Sequence, residues 1–292
     1  MGEEKDIKGI KEKVLGTFDV NGDGQVDIQD VIFQSMKIPG IKVDRDSFLR
    51  RELVRYCNED KIEKAVTYTP LKAEIPQDII NRIADEIIQY ERQYVSGISA
   101  ALGVPGGVAM AATIPADIIQ YYGYLLRAAQ KLLYLYGFPA LNISVKGQSL
   151  DSETMNVLIL CIGVMYSTAG ANNALKGVAV ALGNGVEKQL LNKALTKGTL
   201  YPIVKNVSKW FGVKMTKEVF AGFFKKAIPV VGGVLGGGIT YATFKPCCLR
   251  LKKSLQNTRL SNPDYLDEDD FIIDADYEVV EEDINDYDDE ES

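Results

Sequence analysis

Apolar residues return every three or four positions along most of this chain, the spacing that lines one face of a helix. Ile7, Ile10, Val14, Leu15 and Phe18 predict a short amphipathic helix, and Ile28, Val31, Ile32 and Met36 a second that Pro39-Gly40 stops. A short extended piece from Ile41 leads into a third helix, with Phe48, Leu49, Leu53 and Val54 inside. From Gln77 to Ser99 the stripe is Ile80, Ile83, Ile87 and Tyr94. The segment from Pro115 to Tyr136 is apolar almost all round, with Gln120, Arg127, Gln130 and Lys131 as a narrow polar strip. A helix of that kind is either buried in a large core or touching lipid. Further helices are predicted near 151–181, 184–197, 201–211, 215–226 and 228–256. Strand-like alternation is nearly absent, so the expected fold is all-α, a helical bundle with glycine-rich apolar core helices.

Three uncharged runs approach the length of a membrane span: Gln93 to Ala116 (24 residues), Thr154 to Leu175 (22) and Ala227 to Phe244 (18). A bilayer core needs about 20 apolar residues. All three are imperfect. The first carries Gly103, Pro105, Gly106, Gly107 and Pro115, and the second Asn156, Ser167, Asn172 and Asn173. The third places Gly232 over Gly236 and Gly233 over Gly237, a spacing that lets helices approach closely in lipid or in a protein core. The mean hydropathy of −0.04 favours buried core helices over insertion.

Charge divides the 292-residue chain more sharply than its net of −7 suggests. Residues 262–292 hold 16 acidic residues and no Lys or Arg, leaving 33 basic against 24 acidic residues in the rest, a net of +9. Between Met155 and Ser261 there are 15 Lys and Arg against only Glu187 and Glu218. The expected organisation is a first unit over 1–70, a helical body over 75–260 and an acidic, disordered tail over 262–292 that contacts the basic body.

The first unit contains FDVNGDGQVDIQDV, residues 18–31. Its acidic and amide side chains follow the EF-hand loop, with Asp19, Asn21 and Asp23 at about the first, third and fifth positions and Gly24 at the sharp turn. Gln25 offers its backbone carbonyl, Asp27 binds directly or through water, and Asp30 closes the loop. Oxygen ligands so spaced wrap one Ca2+, and the ion neutralises carboxylates that otherwise repel each other. The closing residue is Asp30 where the common loop has Glu. The shorter side chain weakens Ca2+ or shifts preference toward Mg2+. The pattern resembles the calcium loops of dockerin modules, which also end in Asp, although only one such loop is present here and not the tandem pair.

Histidine is absent, which removes the commonest general base and metal ligand. The four cysteines show no CxxC spacing, as expected of a reduced intracellular chain, and Cys247 and Cys248 read as packed small residues before palmitoylation sites. The charged N-terminus lacks the apolar run of a signal peptide. No phosphate loop, dinucleotide fingerprint or nucleophile elbow occurs. Asp117, after Pro115, is the one carboxylate inside an apolar stretch, and a helix start explains it as well as a tuned acid would. Between Lys209 and Lys226, Trp210 and Phe211 stand among Lys209, Lys214, Lys217, Lys225 and Lys226, a mixture found in basic helices that lie on anionic membranes. An ordinary solvated lysine face over a Phe core is the alternative. No nucleic-acid-binding motif accompanies the lysines.

The segment 107–138, GVAMAATIPADIIQYYGYLLRAAQKLLYLYGF, paired with IPVVGGVLGGGITYATF at 228–244, resembles the EcsC family of bacterial proteins over roughly 75–256. The shared features are a Pro-Ala-Asp helix start, a Tyr-Gly after that helix and a late Ile-Pro-x-x-Gly-x-x-x-Gly helix. The resemblance implies a helical cytoplasmic or membrane-associated protein linked to transport or secretion, and it carries over no catalytic residues. The expected function is non-enzymatic: a Ca2+-stapled helical protein, peripheral to the inner face of the cell membrane, that binds an anionic membrane surface or a membrane protein. A pore-forming or lipid-inserting effector, and an enzyme using Asp, Lys or Tyr chemistry, are the alternatives. Calorimetric titration with CaCl2 should show one site per chain, and Asp19→Ala with Asp23→Ala should abolish its heat. A wild-type chain that takes up neither Ca2+ nor Mg2+ would remove the loop reading.

Overall fold

Acidic and amide caps start the helices of the first half. The structure, a computed structural model, describes residue 19 and residues 27–102, 109–143, 150–185, 188–214 and 232–265, without the side chains of 99–102, 109–118, 188–190, 212–214 and 232–239. In chain order the helices are α1 (Ile28–Met36), α2 (Arg45–Leu53), α3 (Glu59–Thr67), α4 (Gln77–Leu102), α5 (Ala109–Leu135), α6 (Ser152–Met165), α7 (Ala171–Gly183), α8 (Lys188–Thr196), α9 (Tyr201–Lys214) and α10 (Gly232–Gln256). Asp44 caps α2 by accepting from Ser47 N at 2.9 Å, Asn58 caps α3 through Lys61 N at 3.1 Å, and Asp151 caps α6 through Thr154 N at 3.0 Å. Each cap satisfies a donor the helix cannot, worth about 1 kcal/mol. Among the described residues there are ten helices and no strand, so the chain is an all-α bundle as its periodicity predicts.

The structure departs from the sequence expectation in several respects; Val54 and Tyr94, expected on the inner faces of their helices, are 61% and 44% exposed. Helix α3 was not expected. The segment predicted as one helix over 151–181 is two, because α6 ends in a tight turn. There Thr168 N donates to Gly163 O at 2.8 Å and Ser167 N to Val164 O at 3.1 Å, a Schellman arrangement with Ser167 at φ 58° and Gly170 at φ 78°. The long uncharged run from Thr154 is therefore split, and among the described residues no helix is long and apolar enough to cross a membrane. Helix α5 begins at Ala109, which puts Asp117 inside the helix and not at its start. The helices expected over 7–18 and 215–226 lie outside the described residues.

Helix α6 is the centre. Met155 and every residue from Val157 to Met165 are buried. It is packed by α1, α5, α7, α8, α9 and α10. The two long helices α4 and α10 form the most extensive pair, joined by Lys252 Nζ to Asp85 at 2.7 Å and by Gln256 Nε2 to Asn81 Oδ1 at 2.7 Å. Residues from the first 70 positions share this core: Ile28, Ile32 and Met36 of α1 are fully buried, and α1 packs on α5, α6 and α9.

The polar strip on α5 points into the protein. Gln130, fully buried, accepts from Val43 N at 3.0 Å and donates to Ile41 O at 3.0 Å, fixing the loop after α1. Glu91 of α4, also fully buried, accepts from Arg127 Nε at 2.9 Å and from Lys131 Nζ at 2.6 Å. Arg127 also donates to Gly40 O at 3.3 Å and lies 4.5 Å from the centre of the Tyr124 ring. Arg45 is 7% exposed and donates to Val66 O at 2.6 Å, Tyr68 O at 2.9 Å and Phe138 O at 3.2 Å. A cation placed on the last carbonyls of α3 opposes the negative end of that helix.

Gly137 ends α5. Its φ is 93°, Phe138 N donates back to Leu133 O at 2.9 Å, and a Cβ at this position would meet Leu260 O at 2.7 Å. Both the left-handed backbone and the close approach demand glycine. Gly137→Ala should cost about 1–3 kcal/mol, lowering the melting temperature by several degrees. Gly97→Ala is the opposite case, mid-helix and with nothing near its Cβ, and should be neutral or stabilising by up to about 1 kcal/mol. Calorimetry of the two variants checks the sign of each.

Candidate functional site: a loop start, a lysine face and a basic pocket

Of the six expected metal ligands, Asp19, Asp27 and Asp30 are among the described residues, while Asn21, Asp23 and Gln25 lie outside them. Asp27 and Asp30 form a reciprocal capping box at the start of α1. Asp27 Oδ1 accepts from Gln29 N at 2.7 Å and from Asp30 N at 3.2 Å, and Asp30 Oδ2 accepts from Asp27 N at 2.9 Å. These carboxylates start the helix whether or not an ion is bound. Among the described residues, no three possible metal-ligating side chains converge. Two carboxylates at a helix start, one of them 3% exposed, suit a hard cation by donor chemistry.

The expected membrane surface is divided. Lys209 is exposed, Trp210 is half-buried and Phe211 is only 1% exposed. Phe211 packs edge-on to Trp210 at 4.8 Å, Tyr166 at 5.4 Å and Tyr122 at 6.3 Å between ring centres. It is a core residue and, in this conformation, cannot act as a lipid anchor; the surrounding rings outcompete water or lipid for it. The backbone of Lys214 ends α9, and Lys217, Lys225 and Lys226 lie outside the described residues. Cys247 and Cys248 are 4% and 0% exposed, in keeping with packed small residues. Burial pushes both thiols, and that of Cys161, above the ordinary range because a thiolate there would lose its solvation.

A concave site of about 420 Å³ lies between the α6–α7 turn and the C-terminal half of α10. Helix α10 presents Arg250, Lys253, Ser254 and Asn257 to it, a run of i, i+3, i+4 and i+7 positions that shares one face. Opposite stand Thr168, Asn172 and Lys176, again four apart, with Ser167 at the turn. Arg250 Nη1 donates to Met165 O at 2.8 Å, which ties the guanidinium to the end of α6. Among the described residues, no acidic side chain lines the cavity. The hydroxyl oxygens of Thr168 and Ser254 are buried and have no hydrogen-bond partner. These residues were not singled out by the sequence reading. Their signal was polar residues at helical spacing on two segments some 80 positions apart, and only the fold puts them face to face.

These features define an all-α bundle with a carboxylate-capped N-terminal helix and a cation-lined cavity. No family model, curated protein or solved structure matches the chain. The resemblance to EcsC proteins rests on the motifs at 107–138 and 228–244 alone.

Labelling of the folded chain with a thiol reagent near pH 8 should tag Cys57, the half-buried cysteine, ahead of Cys161, Cys247 and Cys248. The other three should react only on unfolding. Rapid native labelling of Cys247 or Cys248 would mean that the α10 packing opens readily.

Proposed function

We propose that this protein is a non-enzymatic helical binding protein that attaches peripherally to an anionic membrane, at the inner face of the cell membrane. One observation carries the reading. From Met155 to Ser261 the sequence has 15 Lys and Arg against only Glu187 and Glu218, and Lys197, Lys205, Lys209, Arg250 and Lys253 are exposed. Cations near an acidic lipid surface contribute about 1 kcal/mol each, and the attraction falls off within a Debye length. A cationic half with so few carboxylates of its own leaves most of that attraction uncancelled. The buried Phe211 and Cys248 argue for attachment by charge and not by inserted side chains.

Two further parts complete the proposal. Asp19, Asn21, Asp23, Gln25, Asp27 and Asp30 hold one Ca2+, or Mg2+ in its place, which fastens the N-terminal loop onto the start of α1. The acidic tail over 262–292 competes with the membrane for the cationic half, so the full chain binds lipid less tightly than the body does. The EcsC-like motifs at 107–138 and 228–244 accord with a helical protein working beside transport or secretion machinery.

Flotation with vesicles of neutral and anionic lipid tests the reading. The full chain should float with anionic vesicles only, lose binding on raising salt toward about 0.5 M, and leave an entrapped dye inside. Ending the chain after Ser261 should strengthen flotation. Equal flotation with neutral vesicles, or none with anionic ones, would reject attachment by charge.

A further inference from the structure

The cavity between the α6–α7 turn and α10 is separate from the lysine face of α9. We infer that it binds a phosphomonoester group, with Lys176, Arg250 and Lys253 supplying charge and Ser254, Thr168 and the start of α7 supplying hydrogen bonds.

Four observations converge on this chemistry. Three cations line one cavity that, among the described residues, has no acidic lining side chain. Helix α7, thirteen residues long, has Gly170 as its N-cap, with no side chain to cap it; Ala171 N donates to Thr168 O at 3.2 Å, and the N–H groups that follow in the first turn receive no side-chain acceptor. Free N–H groups at a helix start favour an anion. Ser254 is 6% exposed and its hydroxyl has no partner, and the Thr168 hydroxyl across the cavity is likewise buried and unpaired. A serine inside a helix commonly returns its hydroxyl to the carbonyl four residues back. Ser254 forgoes that bond, and an unpaired buried hydroxyl costs about 1–3 kcal/mol; both hydroxyl oxygens are closed to water in this conformation, so each reaches a bound group by turning about χ1. Ser167 adds a fourth sign: it holds φ 58° without being glycine, at the rim of the same cavity.

The donors outnumber what a carboxylate can accept. Lysine and arginine donate only, and the hydroxyls and the helix start add further donors. A phosphomonoester dianion has three terminal oxygens to receive them. The cavity, at about 420 Å³, exceeds the volume of phosphate alone and falls in the range of small-ligand sites, so the phosphate is one end of a larger molecule. That molecule is either a free phosphorylated metabolite or a lipid with a phosphomonoester headgroup. Both present the same chemistry to the pocket.

The test uses the full chain and two probes, glycerol 3-phosphate in solution and vesicles containing phosphatidic acid. Titration of glycerol 3-phosphate followed by phosphorus NMR at physiological salt should saturate with one site per chain. The Lys176→Ala/Lys253→Ala variant should weaken it at least about tenfold, and Ser254→Ala by several fold. Lys253 is exposed and Lys176 half-buried, so the double variant should keep the wild-type melting temperature. The variant Lys205→Ala/Lys209→Ala removes the same charge from α9 and should leave glycerol 3-phosphate binding unchanged. Preference for phosphatidic acid over phosphatidylglycerol vesicles, relieved by glycerol 3-phosphate, assigns the group to a lipid. Saturable binding in solution without that preference assigns it to a free metabolite. The pocket is refuted if glycerol 3-phosphate fails to saturate, or if its binding is insensitive to Lys176, Lys253 and Ser254. Loss of vesicle binding in the α9 variant alone would support the surface reading while leaving the pocket to be judged by the solution titration.

Discussion

Helix α6 is apolar on every face, and the rest of the bundle is arranged by the need to surround it. A helix with one apolar stripe needs one neighbour; this one, buried from Val157 to Met165, is packed by six. At its middle, Gly163 lets two of them come close. A Cβ there would meet Ala171 Cβ of α7 at 2.8 Å and Val207 Cγ2 of α9 at 2.9 Å. Contacts that short are not found between real side-chain carbons without movement, so the α6 crossing depends on that glycine. The same close packing forces the chain to turn sharply after Met165, and the turn puts Thr168 and the start of α7 beside α10. The cavity is thus a by-product of how tightly the central helix is wrapped.

Buried charge gives the bundle its orientation. Glu91 is fully enclosed and held by Arg127 and Lys131, which are each 13% exposed. Such a cluster adds little net stability over apolar packing, but losing one member costs about 3–5 kcal/mol because an unpaired charge stays behind. The cluster therefore works against alternative alignments of α4 and α5. Arg127 extends it by donating to Gly40 O, and Gln130 holds Ile41 and Val43. Arg45 does the same between α3 and the end of α5. The N-terminal helices are consequently tied to the body by hydrogen bonds as well as by the apolar faces of α1.

Charge is sorted by position along the chain, and the fold turns that sorting into a surface. Three carboxylates of α4 are occupied: Glu91 by Arg127 and Lys131, Asp85 by Lys252 and Glu86 by Arg55. The second half of the helical body holds many more cations than carboxylates, with Lys197, Lys205 and Lys209 exposed on it. An acidic lipid face, the acidic tail and a phosphate group are three ligands of one sign for that half. The pocket differs from the open lysine face by its enclosure and its unpaired hydroxyls, which ask for geometry as well as charge.

Much of the fold was legible in the sequence because helical periodicity and caps are local. The stripes of Ile28, Val31, Ile32 and Met36 and of Ile80, Ile83 and Ile87 face the core as their spacing demands. The Asp27 and Asp30 carboxylates stand at a helix start, where the loop pattern places them. The absence of strand-like alternation gave the all-α class. Other features could not be read locally. The sequence marked Arg127, Gln130 and Lys131 as a narrow polar strip without partners, and the structure turns them onto Glu91 and the loop after α1. It offered Phe211 to a membrane, whereas Tyr122 and Tyr166 enclose it. The residues of the cavity, Lys176 on one helix and Arg250, Lys253 and Ser254 on another, have no relation in sequence at all. Periodicity states which face of a helix is apolar; which helix covers it, and what meets across a cavity, depends on contacts between residues far apart in the chain, and those only tertiary packing decides.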